Sequence, residues 1–561
     1  MTPTNWTFVD KHSSIAQLEF QYDRSDKILP PPLLFQLTPL KSSLSISLYR
    51  DKLSRVIGTT ITCPFDKNKN STKMPFLDLP NEIILQISEE QSPPDLSSLM
   101  RTNRRLAILL ERSLINTIFR TRSNRYGRRA LYLAAERGDK STVRSLLDKG
   151  ILEILELVGN GGLLHDAIAT QTVSVVSTLL ACGVDTEARN LNFRTPLHMA
   201  AEIGREEVVK LLAGKEGANV NVTDTKKKTP LYLAAKRLQA KVVKLLLEDE
   251  NIDINVLDYA GRSALHMSSR DPRWVVIAKL LMSSSKVDIN SRNETNITPL
   301  HAAAVSGNEA AVMILLEDSR IDVNIRDYNG RTAFYLAIKE GEESVARVLM
   351  NDRRVDINTR TSTGWTPLHA AAYRGQEDIT GHLLKDSRLD LSLTSHDGST
   401  PLHVAIRRRR INIARILLDD PRIDVNQANQ DGNTALHIAA RDWQVSSTQC
   451  LLEDPRTDPN LPNNSPWTPL HVAVLEMREE VVKVLLGDRR VDVNPRGWNA
   501  ETPLHLAVEK RCDGIVRCLL GRPEILVNLK TNMGNTAYEL ATIHGWAPVL
   551  VELAAREDKA P

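Results

Sequence analysis

The chain has 561 residues, enough for several globular domains or one extended array. Lys plus Arg (72) nearly balance Asp plus Glu (69), and the net charge of +3 gives no pull towards nucleic acid or a membrane surface. Aromatic residues make up only 4% while Leu, Ala and Val recur, which suits thin stacked helices better than one thick core.

The five cysteines, Cys63, Cys182, Cys450, Cys512 and Cys518, form no CxxC pair and no even-numbered framework. Isolated thiols fit a reducing compartment. Asp10, Glu19 and Asp23 interrupt the first thirty residues, where a secretory signal needs a basic and then an apolar stretch. No run approaches the roughly 20 apolar residues of a membrane span. The expected location is cytoplasmic or nuclear.

Residues 1–73 have no sustained period. LPPPLLFQLTPL (29–40) and KSSLSISL (41–48) read as a disordered or low-order leader. Met74 opens the next segment directly, so 1–73 also fits an upstream extension outside the main product, which an intact mass beginning at Met1 would exclude.

Residues 74–123 start differently. Leu79 and Pro80 begin a short helix in which Ile83, Ile84 and Ile87 share a face, and Pro93-Pro94 ends it. A second helix places Leu96, Leu99, Met100 and Leu106 on one face, with Asp95 favourable at its N-terminus. Two short helices cannot bury those faces alone. They pack on the first repeat of the downstream array or bind something else.

From Arg129 the chain repeats. The tetrapeptides RALY (129), GLLH (162), TPLH (195), TPLY (229), SALH (263) and TPLH (298) are followed by TAFY (332) and TPLH (366). TPLH (400), TALH (434), TPLH (468), TPLH (502) and TAYE (536) complete about thirteen units with a step near 34, the signature of a solenoid. The Thr hydroxyl is placed to cap a helix, and Pro tolerates the next position because its missing N–H would have no partner there. Leu368 and the pair Ala370, Ala371 fall on the inner side of such a helix, and Gly204, Gly307, Gly341 and Gly375 end it. A second helix comes next, with Val208, Val209, Leu211 and Leu212 as its apolar positions. The units close on turns such as IDVN (321–324) and VDIN (355–358), where Asn is expected to take positive φ. The one step of 35 falls in HMSSRDPRWVV (266–276), where Pro272 and Trp274 replace the glycine turn and a local kink or altered stacking is expected. The last unit drops its His and turns polar, as an end unit should.

Nine of the 13 histidines take the fourth tetrapeptide position, one to a layer, and His12, His382, His396 and His544 make no HxxxH or HExxH. No zinc or other metal site is expected. VGNGG (158–162) lacks the Lys-Ser/Thr of a phosphate loop, and packing is the better reading of Cys512 and Cys518. No catalytic residue and no cofactor is expected, so the chain is not read as an enzyme. Arg407–Arg410 is either a solvated turn or a nuclear-localisation or docking element. Arg320, Arg354, Arg388, Arg422, Arg456 and Arg490 recur between Asp residues and read as inter-layer pairing of exposed charges.

The TPLHxAA start, the glycine-ended first helix, the LL-containing second helix and the DVN turn resemble ankyrin repeats over 127–558. The resemblance implies an all-α solenoid of helix-turn-helix units with β-turn fingers, a concave face that binds a protein, and a His that ties neighbouring turns together. In such arrays the finger residues before the Thr and the residues after the Ala pair meet the partner. Here these are Tyr328, Arg331, Trp365, Tyr373, Arg374, Arg407, Arg408, Arg441, Trp467, Lys510 and Arg511, with Trp, Tyr and Arg common at interface hot spots.

The order LPxEI, DLxxL, TNRRL resembles an F-box of the kind that precedes ankyrin arrays in fungal proteins, with Gln91 where Leu is usual. That resemblance implies a Skp1-type adaptor as partner, met by Leu79, Pro80, Ile83, Ile84, Ile87, Leu96, Leu99 and Leu106. The chain is then expected to be a substrate-receptor subunit of an SCF-type cullin-RING ubiquitin ligase, holding an unknown protein target. The alternative is a protein-binding scaffold whose N-terminal helices only cap the array.

Overall fold

The computed structural model describes residues 104–155 and 162–557, together with the helical positions Asn81 and Leu85. The leader expected over 1–73 lies outside the described residues. Among the described residues every regular element is helical.

Thirteen helix pairs succeed one another from Asn124–Glu136 and Lys140–Asp148 to Ala537–Ile543 and Ala547–Glu557. The unit formed by Pro367–Arg374 and Glu377–Lys385 displays the design. Thr366 stays extended (φ −95°, ψ 168°), and its hydroxyl accepts from the His369 N–H at 3.4 Å. Pro367 comes next at the first helical position, and Gly375 closes the helix at φ 83°. Leu368, Ala370, Ala371 and Ala372 are buried, so small side chains set a close approach between neighbouring first helices. Similar layers link into one continuous apolar core from Ile115 to Leu553. A buried Leu contributes about 1.5–3 kcal/mol, and each layer obtains that burial only from its neighbours.

The array does not begin on an open face. A leading helix, Arg104–Thr121, buries Leu110, Ile115 and Ile118, and Ile115 and Ile118 join the core of the first unit. A Cβ built on Gly127 would sit 3.0 Å from Ile151 Cδ1 and 3.3 Å from Ile118 Cγ2, so glycine allows this close seating. The two short helices expected from the sequence of this region leave this longer one out. Its apolar positions are spread among charged and polar neighbours, which blurs the stripe.

Two expectations about the turns change, and a third place is built differently. The Asn of the DVN turns (Asn324, Asn358, Asn426, Asn494) is not among the residues at positive φ. Its amide bridges layers instead: Asn324 Nδ2 donates to the Arg354 carbonyl at 2.8 Å, and its Oδ1 accepts from the Asp356 N–H at 2.8 Å. The recurrent Arg residues do not pair between layers either. Arg388 holds Asp386 of its own turn at 2.7 Å, and reaches the previous layer through the Val355 and Met350 carbonyls at 3.0 and 2.9 Å. The charge pair is local because Asp386 lies only two residues away, and the guanidinium fork has donors left for the carbonyls. At the 35-residue step the extra residue forms a 3₁₀ turn, Pro272–Trp274, with Trp274 packed on the core and helix Val275–Met282 still stacked in sequence.

Candidate protein-binding surface

From the second unit on, each unit is joined to the next by a finger whose first residue closes the turn. In 327–331, Asp327 Oδ1 accepts from the Asn329 and Arg331 N–H groups at 2.9 and 2.8 Å. The Asp327 N–H donates to the Arg331 carbonyl at 2.9 Å. Gly330 has φ 71°, and a Cβ there would meet the Ser362 nitrogen of the next finger at 2.9 Å. Adjacent fingers also share one backbone bond, from Ser362 N–H to the Asn329 carbonyl at 2.8 Å.

Where the first helix carries the His, that His fixes its finger. His369 Nδ1 accepts from the Thr366 N–H at 3.2 Å, and Nε2–H donates to the Ser399 carbonyl, thirty residues on, at 2.9 Å. His198, His266, His301, His403, His437, His471 and His505 repeat this geometry. Burial pushes His198, His266, His369, His403 and His437 down to about 4, against a smaller upward pull from the carbonyl bond. The rings stay neutral with both nitrogens engaged, so they are clamps. Cys512 and Cys518 pack half-buried against the core, and burial raises both thiols.

The proposed contact residues separate into groups. Tyr328 stands at a fingertip with 68% of its surface exposed. Arg331 is half-buried and committed to Asp327 at 2.7 Å. Trp365 meets Tyr373 edge-on at 5.5 Å between ring centres, and the Arg408 guanidinium lies 4.0 Å over the Tyr373 ring. Arg407 is 3.8 Å from Asp397. The structure thus brings Trp365, Tyr373 and Arg408 into one cluster across two layers, with Arg407 beside it. Arg374 bonds the Lys339 carbonyl and lies 3.7 Å from Glu340. Trp467 is half-buried, and its carbonyl accepts from His437, a structural duty. Arg441 pairs with Asp442 at 3.0 Å, while Lys510 and Arg511 stand exposed further along the array.

Two aromatic residues absent from the sequence reading share the fingertip position of Tyr328. Tyr259 is 73% exposed and Trp498 71% exposed, each one residue after the first of its finger. Aligning the fingers rather than the tetrapeptides finds them.

Of the proposed adaptor contacts, Leu79, Pro80, Ile83, Ile84, Ile87, Leu96 and Leu99 lie outside the described residues, and Leu106 falls in the leading helix without a described side chain. Among the described residues no helix is long and apolar enough to cross a membrane.

The family model for ankyrin repeats in three copies matches residues 164–258, 197–285, 265–361, 353–429 and 421–497, and the model for many copies matches 486–541. The chain belongs to the ankyrin-repeat family. A search of curated proteins gave no match. Ankyrin repeats form a scaffold for protein–protein interaction, and protein partners are what this array is built to hold.

Proposed function

We propose that the chain is a target-binding adaptor: the fingers and first-helix ends hold a protein, and the segment around 79–106 joins it to a Skp1-type adaptor of a cullin-RING ubiquitin ligase. The observation that carries the target-binding half is the Trp365–Tyr373–Arg408 cluster beside exposed fingertips. Aromatic and Arg side chains grouped on a rigid support are the usual makings of an interface hot spot. No catalytic role is assigned to the chain. In a ligase the chemistry would come from the conjugating and RING partners.

The ligase half rests on the resemblance of LPNEI, DLSSL and TNRRL to an F-box. It is tested by capture of the host's Skp1-type adaptor on the full chain and on a Leu79→Ala, Pro80→Ala double variant. Retention by the first and loss by the second supports the receptor reading. Retention by neither leaves a scaffold. That second reading is favoured by one observation, the seating of Arg104–Thr121 on the first unit as a cap.

A further inference from the structure

The turn between the two helices of a unit needs a left-handed residue at one fixed place, nine positions after the Thr. Gly307, Gly341 and Gly375 supply it in three consecutive units, at φ 67°, 93° and 83°. The next four units use Arg409, Trp443, Met477 and Arg511, at φ 55°, 56°, 56° and 54°. Bulky residues are outliers in this region because Cβ crowds the backbone, and glycine is the relaxed solution that the three preceding units use, with Leu238 at φ 61° the isolated bulky exception upstream. Four successive layers have instead kept large side chains in the strained position, and all four are exposed, Trp443 and Met477 by 59% each. Buried packing does not account for them.

Their chemistry forms a pattern. Cations stand at the two outer layers and apolar side chains at the two inner ones. The Arg478 guanidinium lies 5.9 Å over the Trp443 ring and holds the indole on the ridge. Arg409 donates to the Asp442 carbonyl at 3.2 Å, and Arg511 bonds the His544 carbonyl, so both are oriented by neutral backbone. Arg407, Arg441 and Arg478 have carboxylate partners in Asp397, Asp442 and Glu476. Arg408, Arg409, Arg410, Lys510 and Arg511 form no ion pair among the described residues. Helix layers lie about 8–10 Å apart, so four such positions span roughly 30 Å. An extended segment of about nine residues, at roughly 3.3 Å each, has that length.

We propose that the turn ridge formed by Arg409, Trp443, Met477 and Arg511 docks an extended acidic peptide segment with apolar residues at its centre. Its carboxylates face the outer arginines, and its apolar side chains lie on Trp443 and Met477. A nucleic-acid strand fits less well, because Asp442, Glu476 and Glu509 lie within two residues of ridge positions and disfavour a continuous run of phosphates. This surface does not use the fingers; it rests on the target-binding reading above, whose first-helix ends and Arg511 it takes up, and names the class of partner they hold.

The test is a fluorescence-polarisation titration of the full chain with a labelled peptide of about nine residues, glutamates at both ends and leucines between. The variant replaces Arg409, Trp443, Met477 and Arg511 by Gly, the residue used in the preceding units, so its thermal midpoint is expected to stay level or rise. The expected result is saturable binding that weakens at least about tenfold in the variant, and no binding of the same peptide with lysines for glutamates. The single variant Arg409→Gly is expected to lose about threefold. Equal binding by wild type and variant overturns the proposal. So does no saturation by wild type at about 1 mM, or tighter binding of an oligothymidylate. Tyr328→Ala is expected to leave the peptide affinity unchanged, which separates failure here from failure of the finger reading.

Discussion

Asn358 and Arg388 join two layers through a pair of backbone bonds. Asn358 Nδ2 donates to the Arg388 carbonyl at 2.7 Å, and Asn358 Oδ1 accepts from the Asp390 N–H at 2.9 Å. The same pair recurs from Asn426 to Arg456 and Asp458, and from Asn460 to Arg490 and Asp492. Between these rungs Ser392 takes the Asn position, and its hydroxyl turns back to Asp390 of its own turn at 2.6 Å. One rung of the ladder is missing. Asn358→Ala is expected to cost about 1–2 kcal/mol, two part-exposed hydrogen bonds, and to speed exchange of the Asp390 amide. Ser392→Asn is expected to add about 1 kcal/mol and to protect the Asp424 amide. Unchanged exchange at both amides would contradict the bridging role.

Leu368 tests the layering itself. It is only 2% exposed and lies in the continuous core. Leu368→Ala is expected to cost roughly 2–5 kcal/mol, because the flanking helices cannot collapse on the void. Since stability is shared between neighbours, faster hydrogen exchange is expected in the adjoining layers and not at the far end. Uniform acceleration along the whole array would contradict nearest-neighbour coupling.

The His clamps set a pH dependence of definite sign. Burial holds His198, His266, His369, His403 and His437 at about 4, below the ordinary 6.5. The unfolded chain therefore takes up the protons first as pH falls. The stabilisation is complete above about 6.5 and is lost progressively down to about 4, by roughly 2 kcal/mol per layer at pH 5. The Asp386 carboxyl, held low by its hydrogen bonds from Arg388, adds its own loss only as pH falls below the usual carboxylate range. Urea midpoints are expected to drop between pH 7 and 5. A flat profile there would mean the rings already bind protons in the folded state.

Much of the fold was legible in the sequence, and the failures share a cause. The tetrapeptide spacing, the Thr caps and the buried Leu and Ala positions come from local rules and recur along the array, while the glycine ends hold in only part of it. The roles of Asn324 and Arg388 are not legible locally because their partners lie about thirty residues away, where propensity has no reach. Tyr259 and Trp498 were missed because aligning on the tetrapeptide hides the fingertip position that they share with Tyr328. Trp443 and Met477 give no local sign of strain, since only the glycines of neighbouring units reveal what their backbone needs. In Arg407–Arg410, a solvated turn or docking element by sequence, the structure adds that Arg408 lies over Tyr373 and Arg407 beside Asp397.

We propose that this array holds a protein through its fingers and first-helix ends. The most direct test is photo-crosslinking in host extract, with a benzophenone amino acid placed in turn at Tyr328, Trp498, Arg347 and Lys483. Tyr328 and Trp498 are fingertips, while Arg347 and Lys483 are exposed on second helices. One protein partner is expected to be captured from Tyr328 and Trp498 and none from Arg347 or Lys483. Capture of the same partner from the second helices alone would contradict the claim.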